Sequence, residues 1–180
     1  RTMAEAFSNK VARAAGIVTS TTGGAIGITT NLITGISTVH VAVNDLVDTG
    51  NFILGTKVSS VGASQVICDR DSTNTAAATA QSVKFLGVTT AYTSTGTKSI
   101  LVGGTFANNT TGSVNLTVQV WDNSASTEVA LAGKIPVPNG SSFVITDAGK
   151  TVLESSDEVR IYCDTANAID ATLSILTGVS

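Results

Sequence analysis

Residues Lys98 to Asn123, KSILVGGTFANNTTGSVNLTVQVWDN, constrain the fold more than any other stretch of the chain. Two apolar-alternating runs flank a turn-rich link. In the second run Leu116, Val118 and Val120 share one side, and Asn115, Thr117, Gln119 and Trp121 share the other. That period of two is what a half-buried strand requires. Asn108-Asn109-Thr110-Thr111-Gly112, between the runs, tolerates turn and left-handed backbone angles. The stretch reads as a β-hairpin, or two neighbouring antiparallel strands, at the heart of a β-sandwich. It carries architecture and no chemistry.

Composition agrees with a strand-rich chain. Of 180 residues, 42% are apolar and only 13% charged, so the polar surface must be built from Ser, Thr, Asn and Gly. Such a mixture favours strands and tight turns over disorder. The formal net charge of -3 offers no electrostatic footprint for a phosphate backbone, which argues against nucleic acid as a partner. Lys10 and Arg13 are a solvated pair of charges. No apolar run reaches the roughly 18 residues a membrane-spanning helix needs, and the N-terminus lacks the unbroken apolar core of a signal peptide. Cys68 and Cys163 each sit in a strand-like run. Two buried thiols are the favoured reading, and a disulfide stays open.

Taken in order, Thr2-Met3-Ala4-Glu5 fits a capping box, and Met3, Phe7, Val11 and Ala14 recur at helical spacing before Gly16. The pattern predicts a short N-terminal helix over residues 1–16. A lone helix of that length must pack on something, either its own β-domain or a neighbouring subunit. Residues 17–86 then read as a small β module. Val39, Val41 and Val43 alternate about His40 and Ala42 as a strand, Ala76 to Gln81 as a loop, and Gly23-Gly24-Ala25-Ile26-Gly27 as a turn. Residues 87–180 read as an antiparallel, jelly-roll-like β-sandwich, with strands at Glu128–Leu131 and Lys134–Val137 and a turn at Asp147 to Lys150. The fold class is therefore all-β behind a short helix.

Two short patterns resemble known modules. Val41, Val43, Asp45, Val47, Gly55, Thr56, Val58 and Val66 carry a phrase similar to a small β module of virion and tail-fibre proteins of tailed phages, with Asn44 where that phrase usually has Gly. The run from Gly112 through the LAGKIPVPNG segment to Leu153-Glu154-Ser155-Ser156-Asp157 resembles sandwich domains of phage structural proteins. The resemblance points to phages of marine cyanobacteria and their relatives. It implies a virion location and a non-enzymatic structural role, decorating or connecting capsid, neck, tail or fibre. It also implies repeated copies, with a homotrimer as first expectation, and a helix docked on another virion protein.

Candidate sites are few. His40 is the only histidine, so any Ser-His-Asp or Cys-His arrangement would have to use it. Asp69-Arg70-Asp71 reads as a turn with a local ion pair, and Glu154, Asp157 and Glu158 as a solvated acidic turn. An enzyme would need a clustered pair among Asp69, Asp71, Glu154 and Asp157. Two Cys and one His at unrelated spacings do not make a zinc site, and no cofactor or metal is expected. Trp121 and Tyr162 fall on the polar side of their strands, where aromatics mark protein contacts or sugar-stacking platforms. Plain packing between two buried faces is a third reading. The interface candidates are therefore Met3, Phe7, Val11, Trp121 and Tyr162. A host-surface sugar receptor is the rival function, and it predicts Trp121, Tyr92 or Tyr162 exposed beside Asn and Asp side chains.

Overall fold

The computed structural model describes residues 5–96, 98–146 and 150–179. Among them every helix or strand is a β-strand, and every pairing between strands is antiparallel. The chain opens with β1 (Ala6–Ala15). Then come β2 (Ile17–Ile26), β3 (Leu32–Thr34), β4 (Leu46–Asp48), β5 (Val58–Val61), β6 (Gln65–Cys68) and β7 (Ala78–Gly87). Next are β8 (Thr89–Thr93), β9 (Lys98–Asn108), β10 (Val114–Asp122) and β11 (Thr127–Val137). The last four are β12 (Ser142–Ile145), β13 (Thr151–Glu154), β14 (Glu158–Cys163) and β15 (Ile169–Thr177). They form two compact units: Ile17–Val88, and residues 1–16 together with Thr89–Ser180.

The second of these units is a sandwich. Its first sheet runs β1-β15-β9-β12, with β13 also paired to β9, and its second runs β11-β10-β14-β8. β12 and β13 bind successive lengths of β9, so they act as one interrupted strand. Followed along the chain, the strands alternate between sheets: β1 first, β8 second, β9 first, β10 and β11 second, β12 and β13 first, β14 second, β15 first. That interleaving is a jelly roll. Between the sheets Leu101, Phe106, Leu173 and Ile175 meet Leu116, Val118, Val159 and Ile161, all at most 1% exposed. Each such side chain contributes about 1.5–3 kcal/mol relative to exposure.

The expected N-terminal helix is not present. Ala6–Ala15 is instead an edge strand, paired with β15 from Ala6↔Thr177 to Ala15↔Ile169. The physical reason lies in the spacing: Phe7 and Val11 are four apart, and four satisfies the strand period of two as well as a helical turn. Local helix propensity is a weak prior against a full-length partner strand. Met3 and most of the supposed capping box lie outside the described residues, as does the Asp147–Gly149 turn.

The Lys98–Asn123 stretch is likewise not a hairpin. β9 and β10 lie in opposite sheets and do not pair. Asn108, 4% exposed, holds the crossing. Its Nδ2 donates to the carbonyls of Gly112 (2.8 Å), Val137 (2.9 Å) and Pro138 (3.2 Å). Its Oδ1 accepts from the Thr110 amide and hydroxyl, both at 2.8 Å. β10 pairs with β11 instead, and β11 is one strand rather than two. The Lys134 backbone sits at φ 49° in a register shift and donates to Thr117 Oγ1.

The unit of residues 17–88 is a six-stranded sheet in the order β4-β7-β2-β3-β6-β5, over a core that includes Ile26, Ile33, Val47, Val66 and Phe85. Ala78 to Gln81, read as a loop, is the start of β7 and pairs with β2. The Val39–Val43 run is not a strand. His40 and Asn44 have φ of 67° and 74°, and two turns close as Val41 N–H donates to Thr38 O and Asp45 N–H to Ala42 O. Alternation there buries little: Val39 is 65% and Val43 51% exposed.

Asn108→Ala removes one donor from each of three carbonyls, which keep only their bonds from Thr110 Oγ1, Ser113 Oγ and Ser141 N–H, and removes the acceptor for the Thr110 amide. We expect a loss of about 2–4 kcal/mol of sandwich stability, measured by chemical denaturation. Asn108→Asp, which turns acceptors toward the same carbonyls, is expected to cost at least as much.

Candidate functional site

The two outer faces of the sandwich differ in character. On the second sheet, register places Trp121 opposite Glu128 on β11 and Glu158 on β14, and Gln119 opposite Arg160. Alternation then puts Trp121, Glu128, Glu158, Arg160 and Tyr162 on one face. Arg160 lies over the Trp121 ring, 4.4 Å from its centroid. Its Nε donates to Glu158 Oε2 at 2.7 Å and its Nη1 to Glu128 Oε1. Tyr162 hydroxyl donates to Glu128 at 3.3 Å. The Glu128 side chain is 3% exposed and Tyr162 is fully buried. Burial opposes the Arg160 charge, but hydrogen bonds to Glu158 and Glu128 outweigh it and raise its pKa. Burial, with the Glu128 charge second, pushes the Tyr162 phenol well above its usual range.

This constellation is closed on itself. Tyr162 is not available at the surface, and Trp121 is half-buried with one ring face taken by a guanidinium. Tyr92 is buried too, its hydroxyl 2.9 Å from Ser99 Oγ. The exposed rings that a sugar platform needs are absent from these three positions. Arg160 and Glu128 were missed in the sequence, although Glu158, Arg160 and Tyr162 share one strand parity. What was illegible is that β14 and β11 flank β10.

The outer face of the first sheet is open. Register aligns Phe7 with Leu176, Leu176 with Ile100, and Ile100 with Val152, an apolar row across four strands. A second row runs Val11, Thr172, Thr105, Val144. Phe7 is 74% and Val11 73% exposed, with Val144 and Val152 near half. Of the interface candidates, these two stand on the most exposed apolar surface of the sandwich.

The remaining candidates resolve into structural roles. His40 is an exposed turn residue whose carbonyl accepts from Thr19 Oγ1, rather than a strand position. Asp69 Oδ1 accepts from Lys57 N–H at 2.8 Å, and Arg70 donates to Leu54 O. Asp157, 5% exposed, accepts from Asn123 and Glu154 amides and so pins two turns. Asp69 and Asp71 belong to one unit, Glu154 and Asp157 to the other. Among the described residues no three His, Cys, Asp or Glu side chains group as a metal site. Cys68 and Cys163 are buried thiols in separate units. Burial, then the Asp69 charge, pushes Cys68 up to about 12.

The residues that resemble a phage module form a clasp. Asn44 N–H donates to Val58 O, Val58 N–H to Asp45 O and Val47 N–H to Thr56 O. Asn44, standing where that phrase has Gly, occupies the left-handed region that Gly and Asn tolerate best. Asp45 is 8% exposed and accepts from Ala42 N–H at 2.9 Å. Burial raises its pKa, and the amide only partly offsets this.

No protein-family model matches the chain, and no curated protein matches it. Among solved structures, a chain in the structure of infectious bursal disease virus Gt strain aligns over 96% of this chain and 72% of that one. Identity is 8% and the TM-score 0.31, values that carry no argument. The jelly roll rests on strand order alone.

Arg160→Met removes the guanidinium that the buried Glu128 carboxylate shares with Glu158 beside Tyr162. Denaturation should show a loss of about 3 kcal/mol, with a changed Trp121 emission in the native state. Adding Glu128→Gln should recover part of that loss. Asp45 titrates with the opposite sign from a salt-bridged carboxylate. Its folded pKa lies above the ordinary 3.8, so the native state holds more protons, and stability falls as pH rises from there through the raised value. Asp45→Asn keeps the acceptor for Ala42 and removes the charge. Thermal melts should show that fall abolished, and a higher Tm than the parent at pH 7.

Proposed function

We propose that this protein is a non-enzymatic structural component of a virus particle, working as repeated copies that pack against one another. The observation that carries the reading is the jelly-roll sandwich with one outer sheet face left uncharged over two rows and four strands. Viral capsid domains are among the uses of this architecture, alongside lectins and cupins. Fold alone does not choose between them. The open face favours assembly, because its two exposed rows, with the uncharged Asn9–Ser174–Gly103 row between them, leave Phe7, Val11, Val144 and Val152 uncovered. The tailed-phage origin is supported by the resemblance of the Val41–Val66 and Gly112–Asp157 phrases. The capsid, neck, tail or fibre position follows from nothing more specific than that resemblance.

Light scattering on the purified chain across a concentration series tests the reading. A discrete multimer is expected, with three copies as the resemblance implies or with two-fold pairs of copies. A monomer at every concentration up to the millimolar range overturns self-assembly.

A further inference from the structure

We infer that two copies of this chain pair face to face through the outer surface of the first sheet, antiparallel, about a two-fold axis through the Asn9 row. The inference rests on the assembly reading above and adds its partner and register. A two-fold contact brings one patch against itself, so the patch must be self-complementary. Alternation along β1 puts Glu5, Phe7, Asn9, Val11 and Arg13 on one side, all exposed. An axis at Asn9 lays Phe7 over the partner's Val11, because both stand two residues from the centre. The whole row Phe7–Leu176–Ile100–Val152 then covers the partner's row Val11–Thr172–Thr105–Val144.

Charge selects this arrangement over the parallel one. Four residues from the axis, Glu5 of one copy falls over Arg13 of the other, twice per dimer. Lys98 and its cross-strand partner Glu154 share the Glu5 end, and Asp170, paired near Arg13, shares the other. Antiparallel packing therefore sets Glu5 against Arg13 at both rims, with Lys98 one strand away from the partner's Asp170. A two-fold axis along the strands would instead reverse the strand order and lay Glu5 over the partner's Glu154, a like-charge contact. Between the rims the face carries no charge, so no ion is buried unpaired. Four strands over seven residues span about 19 by 23 Å in projection. That footprint, about 440 Å² in projection, is roughly half of the ~800 Å² per partner of a standard interface, which places the pairing among weak contacts.

Sedimentation equilibrium of the full chain, parent and variants, reads the dissociation constant. Arg13→Glu and Glu5→Arg should each weaken the dimer about tenfold through like-charge contact. The double exchange Glu5→Arg with Arg13→Glu should return to within about threefold of the parent. Phe7→Glu should abolish pairing, with an unchanged melting curve showing that the exposed position leaves the fold intact. If the parent associates but Phe7→Glu and the single exchanges leave its affinity unchanged, another surface makes the contact. The inference then falls and the assembly reading stands. If single exchanges weaken the dimer and the double exchange does not restore it, the antiparallel register is overturned. A parent that never associates removes both.

Discussion

The sandwich depends on how its crossings are closed at the two ends, and Asn108 is the residue on which most of them converge. A chain leaving one sheet for the other must satisfy backbone groups that no ladder can reach. Asn108 does so with a side chain of two donors and one acceptor, all engaged. Its own amide donates to Ser141 O, and Asn109 N–H donates to Ala168 O. Three sheet-to-sheet connections, β9 to β10, β11 to β12 and β14 to β15, are thereby tied at one place. The opposite end uses a carboxylate in the same way: Asp157 accepts from the amides of Asn123 and Glu154, while its carbonyl accepts from Ser94. Hydrogen-bonded side chains at both ends free the middle of the sandwich to be wholly apolar.

That division explains why the outer faces differ. On the second sheet, charge and aromatic groups are consumed by one another, Arg160 bridging Glu128, Glu158 and the Trp121 ring. Removing any member exposes a desolvated partner, which fixes register between β11, β10 and β14. On the first sheet nothing polar of that strength intervenes. The cross-strand neighbours are Phe, Leu, Ile, Val and Thr, which stabilise the sheet through packing yet leave half or more of several side chains in water. One face is closed on itself within the chain and the other stays open.

What was legible in the sequence follows the same line. The period-two run of β15 names its core residues directly, because the two sides of the strand differ in exposure. In β10 and β14 it names the inward side, although Thr117, Gln119 and Tyr162 on the outward side are buried too. β1 was misread because Phe7 and Val11 satisfy two periods, and only the existence of β15 as a partner decides between them. Val39-Val41-Val43 shows the reverse failure: an alternating run broken by left-handed residues at His40 and Asn44. Asn before Asp45 was the visible clue, since Asn tolerates that conformation and a β-branched residue does not. Trp121 was singled out as unusual, but its guanidinium partner lies 39 positions later on β14, which the register sets beside β10. Local pattern finds strands. It does not find neighbours.

The insertion of residues 17–88 between β1 and β8 follows from how its ends are held. Gly16, at φ 124°, passes so close to the β14–β15 connection that a Cβ would lie 2.4 Å from Thr165 O. Its carbonyl accepts from Asn167 N–H and its amide donates to Thr89 Oγ1, so the two chain passes are fixed within the sandwich itself. On the other side of the junction Ile17 pairs at once with Gly87, and Val18 with Leu86. The insert therefore closes its own loop at its base through β2 and β7. The jelly roll bears no loop-closure entropy for the 72 residues of Ile17–Val88 beyond that of a short turn. A sandwich whose ends are tied by Asn108 and Asp157, and whose insert is self-closing, can change that insert without disturbing either sheet.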